Sequence, residues 1–353
     1  MVPLTDRTTR LPTRLWTLAL SLTLLLTAAP GCSPKRIALN SVANALSGSG
    51  TTFASDEDPE LIRGAVPFSL KTMESLLEEL PNHAGLLLAT CSGFTQYGYA
   101  FVETDAAQLE QTDFERSRAE KDRARKLYVR ARNYCLRHLE LKHPGITRQL
   151  ATAPDAAMAP FKRDEVPALY WTGAAWGSAI SIGLDHPELM ADLPAVRAMM
   201  RRALALDESY ERGAIHAALI SLESVPEAMG GSPARAREHF RRSVELSKGQ
   251  SAGPFVTLAA GLSVAEQNRV EFVSLLEKAL AIDPDADPAQ RLANLVVQRR
   301  ARQLLAQVDD LFLGEGGPTP SYAPAVSLVS PRVIDPSVFG RASARPSLRG
   351  ESR

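Results

Sequence analysis

The chain has 353 residues, 45% hydrophobic and 23% charged, an ordinary globular composition with enough apolar material for a large core. Lys plus Arg and Asp plus Glu balance at 40 each, which removes the basic surplus of a nucleic-acid binder. The balance is uneven, because Arg7, Arg10 and Arg14 outweigh Asp6 near the start and five Arg outweigh three acids after residue 313, leaving the middle mildly acidic.

Residues 1–31 read as an export signal: three arginines, the uncharged apolar run Leu15–Ala29, then Ala29-Pro30-Gly31-Cys32. The Cys resembles that of a bacterial lipobox, so Cys32 is the expected lipid-attachment residue, although Ala29 and Pro30 are atypical before it. Two acyl chains would hold the protein to a membrane surface far better than one. Residues 32–54 read as a flexible tether with a short helix at Ile37–Leu46, and residues 55–313 as the folded domain. Residues 314–353, with six prolines and scattered arginines, read as a disordered extension.

Asp58-Pro59 is a strong helix start, Asp capping and Pro at the first helical position. That helix runs towards Leu80 with Pro67 inside it, where a kink or break is expected. Ala84–Val102 follows without a single charge, carrying Phe94, Tyr97 and Phe101 at i, i+3 and i+7. Val166–Leu184 is equally uncharged and holds Tyr170, Trp171 and Trp176 among Gly, Ala and Ser. A helix apolar all round must be buried on every side. Each stretch has 19 residues, near the bilayer-spanning length, but Gln, Gly, Ser, Thr and Pro make insertion marginal, so both read as core helices of a soluble domain.

Between them, Thr112–Lys142 is a long charged helix, with Glu120–Arg123 and Asp122–Lys126 spaced to pair along its face. Its interleaved acids make it a solvated face rather than a basic binding surface. His143–Asp164, with three prolines, reads as a long connection. Helices follow from Asp192-Leu193-Pro194, over Glu211–Val225, from Ser232-Pro233, over Phe255–Ala265, over Arg269–Ile282, and from Asp287-Pro288 to about Phe312. Gly230-Gly231-Ser232 reads as a tight turn plus an N-cap.

Helix endings repeat, with Leu204, Val244 and Leu280 separated by 40 and 36 residues, resembling degenerate tetratricopeptide repeats, whose period is about 34 residues. The fold class expected is all-α, a tetratricopeptide-like helical-repeat solenoid of antiparallel helix pairs.

Chemistry is sparse. No phosphate loop, dinucleotide fingerprint, nucleophile elbow or HExxH occurs, so no catalytic residue, cofactor or metal site is assigned. The six histidines (His83, His138, His143, His186, His216, His239) show no metal-ligand spacing and read as surface or capping residues. Cys91 and Cys135 lie on separate helices; an oxidising compartment permits a disulfide, but two buried thiols is the plainer reading. Phe94, Tyr97, Phe101, Tyr170, Trp171 and Trp176 are the candidate lining of an apolar channel or groove, against plain core packing.

The segments DEDPELIRGAVPFSLKTMESLLEELPNHAGLLLATCSGFTQYGYAFVE, LYWTGAAWGSAISIG, RRALALDESYERGAIHAAL, MGGSPARAREHF and LANLVVQRRARQLLAQVDDLFL resemble, in this order, the T-component family of TRAP-type transporters. The resemblance implies a lipid-anchored helical protein facing the periplasm, self-associating as a homotrimer and pairing with a solute-binding P-component. It implies a non-enzymatic role in uptake, with an internal hydrophobic passage for the ligand, while the ligand itself stays open. Ser33 after the lipidated Cys favours the outer membrane under the enterobacterial sorting rule. The alternative is a scaffold lipoprotein of envelope assembly, whose groove would be polar and charged and would bind peptides.

Overall fold

The computed structural model describes residues 34–47 and 52–312. The expected export signal, Cys32, the Gly48-Ser49-Gly50 part of the tether and the Pro/Arg-rich tail all lie outside them. The chain divides into two compact units, residues 1–41 and 42–353. Helix α1, Pro34–Leu46, crosses that division. The elements from Pro59 onward belong to the second unit.

Among the described residues every regular element is a helix. Helix α2, Pro59–Glu79, starts as the sequence requires: the Asp58 carboxylate accepts from the Glu60 and Leu61 amides at 2.9 and 3.1 Å, and Pro59 loses no hydrogen bond. It continues through Pro67 without the expected break. Helix α3, Ala84–Tyr97, widens into a π-helical stretch, Gly98–Glu103, and resumes as α4, Thr104–Leu109. The widening goes with a close approach: a Cβ on Gly98 would stand 2.9 Å from the ring of the fully buried Tyr128. Tyr128 then donates to Glu103 at 2.5 Å.

Helix α5, Phe114–Lys142, is capped by Asp113 and carries both expected surface pairs, Arg123–Glu120 at 3.0 Å and Lys126–Asp122 at 2.6 Å. The stretch expected as a long connection instead contains α6, Ile146–Thr152, and α7, Pro154–Ala157. Here prolines act as helix starters, because Pro154 occupies the first position of α7. Helix α8, Val166–Ser181, is the uncharged stretch and is buried along nearly its whole length. Helices α9, Pro187–Met190, α10, Leu193–Leu206, α11, Ala214–Glu223, and α12, Pro233–Leu246, follow. Helix α13, Gly253–Leu258, passes into a second π-helical stretch, Ala259–Ser263. Helices α14, Arg269–Leu280, α15, Arg291–Ala306, and α16, Val308–Leu311, complete the chain.

Packing follows chain order. Helix α3 lies on α5, α5 on α8 and α8 on α10, and α3 also meets α8, so the two uncharged helices and the charged one share a core. Small residues permit this closeness: a Cβ on Gly173 would lie 2.9 Å from Met200 Cε of α10. A second core joins α11 to α15 around Ile220, Phe272, Leu276, Val297 and Leu304. Helix α15 then returns to α2, where Leu292 and Val296 pack with Ile62, Ala100 and Phe101. The Leu292 amide donates to Ala54 O at 3.1 Å, and Arg299 pairs with Glu60 at 2.6 Å. The helices are neighbours in sequence order, as stacked pairs would be, but the last long one also covers the first.

Cys91 of α3 and Cys135 of α5 form a disulfide, with Cα atoms 5.4 Å apart, which corrects the expectation of two free thiols. Two residues 44 apart in sequence meet because α3 and α5 lie side by side, a fact that spacing alone does not carry.

Candidate functional site

The six aromatics all lie in or beside the core. Phe94 stacks parallel to Tyr134 of α5 at 6.3 Å between centroids, and the Arg130 guanidinium sits 4.9 Å over its ring. Arg130 and Tyr134 converge on the buried Glu74 of α2. Burial pushes the Glu74 carboxyl up, but bonds from Lys71 and Tyr134 and the charge of Arg130 outweigh it and hold it below the ordinary value. Tyr97 and Phe101, on either side of the start of the π-helical stretch, pack together at 5.5 Å. They face α2 and α15, with Arg63 4.9 Å over Phe101. Tyr170 and Trp171 meet edge-on at 5.0 Å, and Tyr210 lies 5.3 Å from Tyr170. Trp176 donates to Asp192 at 3.0 Å beneath the Arg132 guanidinium. The row at i, i+3 and i+7 is thus shared out between α5 on one side and α2 with α15 on the other. Among the described residues nothing partners the buried Trp171 Nε1 and Gln96 Oε1.

A groove runs across α10, α11 and α12, and sequence reading did not find it. Helix α10 lends Leu193, Pro194, Arg197, Arg201 and Leu204; α11 lends Leu219 and Glu223; α12 lends Arg235 and His239. Leu204 and His239 also line a continuation with Glu208, His216, Glu238, Arg241, Arg242 and Glu245. Glu223, only 7% exposed, is gripped by Arg197 at 3.3 Å and by Arg235 at 2.6 and 2.9 Å. Arg197 also donates to Leu222 O, and Arg235 to Gly230 O. The carboxylate therefore holds two guanidinium groups in fixed positions at the groove wall.

In the continuation, His216 and His239 face each other with Nδ1 atoms 2.8 Å apart. His216 Nε2 lies 3.1 Å from Glu208, a carboxylate that only accepts, so Nε2 carries the proton and Nδ1 accepts from His239. Burial holds both imidazoles below their ordinary pKa, and for His239 the neighbouring His216 adds to it. Glu208 is pulled down to about 2, chiefly by its bond from Arg242. His216 is buried and His239 half-buried in the groove wall, bonded across helices rather than capping one, whereas His83 caps α3 through Leu86 N as expected. Spacing hid the pair, because they are 23 residues apart. The available signal was a stripe on each of two successive helices: His216, Leu219 and Glu223, then Arg235, His239 and Arg242. Among the described residues no group of three or more His, Cys, Asp or Glu is placed to hold a metal ion, and no helix is long and apolar enough to cross a membrane.

A family model described as TRAP transporter T-component matches residues 55–312, the whole of the second core and nearly all of the described chain. A protein of Treponema pallidum (strain Nichols), described as uncharacterized, is 32% identical over 302 residues, 80% of this chain and 94% of that one. A helical body built from buried neutral helices and paired charges, matched over this span, is that of a transporter accessory protein. The chain belongs to the TRAP transporter T-component family.

Proposed function

We propose that this T-component docks a periplasmic solute-binding P-component and shelters the apolar part of its ligand, without catalysing a reaction. The family match across the entire helical body carries this reading. The Cys91–Cys135 disulfide supports an oxidising compartment outside the cytoplasm. Cys32 is the proposed lipid anchor, holding the protein in the envelope, facing the periplasm and at the outer membrane, as a homotrimer.

Phe94, Tyr97, Phe101, Tyr170, Trp171 and Trp176 are the proposed lining for an apolar guest. The unpartnered Trp171 Nε1 and Gln96 Oε1 support it, since a buried donor and acceptor cost about 1–3 kcal/mol each unless something meets them. Native mass spectrometry of the protein with its P-component tests the reading. A complex of defined stoichiometry retaining a small organic acid is expected; two species that never associate would end the docking reading.

A further inference from the structure

We propose that the groove across α10, α11 and α12 is where the partner docks, taking an extended segment with apolar side chains in the middle, acids at one end and bases at the other. This rests on the docking reading and names its surface. Three observations lead to it.

The first is the floor. Leu193, Leu204, Leu219 and Met229 give an apolar strip, and Met229 is 37% exposed at the end nearest Gly230. The second is length. From Leu193 to Leu204 the α10 stripe alone covers ~17 Å at the helical rise. An extended chain of about five residues matches that at ~3.3 Å each. The groove then continues past Leu204 and His239. A compact organic acid would fill only a fraction of it, so a peptide segment is the occupant.

The third is charge. At one end Arg197, Arg201 and Arg235 face Asp155 and Glu223. Glu223 is buried between two of them, while Arg201 pairs, among the described residues, with Asp155 alone, which is 78% exposed. That end has a guanidinium in excess and exposed N–H groups on Arg201 and Arg235. At the other end Glu208, Glu238 and Glu245 face Arg241 and Arg242, leaving a carboxylate in excess while the histidines are neutral. A segment reading acid, apolar, base therefore has one favoured direction along the groove.

The test uses the full chain, its P-component and three labelled peptides: acetyl-Glu-Glu-Leu-Ala-Leu-Lys-Lys-amide, and, with one sign at both ends, acetyl-Glu-Glu-Leu-Ala-Leu-Glu-Glu-amide and acetyl-Lys-Lys-Leu-Ala-Leu-Lys-Lys-amide. Two double variants avoid the core: Arg201→Glu with Met229→Glu, and Glu238→Lys with Glu245→Lys. Circular dichroism checks that both fold. An Arg118→Glu variant in the separate basic depression between α5 and α8 serves as control. With the wild type, peptide binding is read by fluorescence anisotropy, and the mixed-charge peptide is expected to bind at least fivefold tighter than either single-sign peptide. Each double variant is expected to weaken P-component binding at least tenfold, with Arg118→Glu unchanged. Arg201→Glu with Met229→Glu makes both ends acidic, and the all-lysine peptide is then expected to bind that variant tightest.

P-component binding that survives both double variants would overturn the groove as the docking surface while leaving docking itself intact. No complex even with the wild type would end the docking reading, and the groove proposal with it. Equal binding of the three peptides, within twofold, would overturn the end-to-end charge argument.

Discussion

Replacing Cys91 and Cys135 together by alanine is expected to remove a large share of the stability of the helical body. The bridge closes a 44-residue loop, and the chain-entropy relation gives about 4 kcal/mol for a loop of that length. Both sulfur atoms are fully buried, so the alanines also leave small voids, adding about 1 kcal/mol. For a body of this size each kcal/mol moves the melting temperature by roughly 2–4 °C, so a fall of about 10 °C or more is expected. Thermal melts by circular dichroism would compare the variant with wild type before and after reduction. Reduction leaves the sulfurs in place, so it isolates the covalent link from the voids. Maleimide labelling after denaturation counts the thiols. Labelling of both residues in protein exported under native conditions, or a melting temperature that reduction moves by less than about 2 °C, would refute the reasoning.

Glu223→Gln should destabilise the protein by about 1–2 kcal/mol, read as a lower urea midpoint, because the largely buried Arg197 loses its counter-charge while Arg235, half exposed, stays hydrated. Acidification should act through the histidines. His138, His216 and His239 all have folded pKa values lowered by burial, so the unfolded chain takes up protons first. Stability is then complete above the unfolded value of about 6.5 and declines as pH falls below it. His216→Gln with His239→Gln should flatten the urea midpoint between pH 7 and 5, and an unchanged slope would show that the pair does not titrate there. Two glycines should separate: Gly98→Ala pushes a Cβ against the immobile Tyr128 ring and should cost about 1–3 kcal/mol, while Gly173→Ala meets only the flexible end of Met200 and should be near neutral. Equal effects in urea unfolding would contradict the difference in their surroundings.

The fold was legible where one residue's chemistry acts locally. Asp58-Pro59 and Ser232-Pro233 start helices by capping, and both mark true starts. The two neutral stretches could not face water, and they became the buried α3 and α8. Asp122–Lys126 follows from the helical repeat alone. What stayed hidden depends on which helix lies beside which. The Cys91–Cys135 bridge and the His216–His239 contact each join two helices, and no spacing announces them. The prolines of residues 143–164 looked like interruptions, but Pro154 opens a short helix. Helical periodicity put Phe94, Tyr97 and Phe101 in one row, but three residues turn a helix by about 300°, so Tyr97 stands about 60° round from Phe94; Tyr97, with Phe101 beyond the start of the π-helical stretch, meets α2 and α15 while Phe94 meets α5.

That α15 supplies part of the cover over α2 has a bearing on biogenesis. Ile62 and Phe101 find their apolar company in Leu292 and Val296, contributed roughly two hundred residues later. Such distant closure has to wait for nearly the whole polypeptide, which slows folding and keeps the early helices exposed meanwhile. A newly made chain would thus stay pliable until its last helices arrive. Premature termination ahead of Leu292 would yield a product with a bare apolar face, fit for proteolysis, rather than a shorter working molecule.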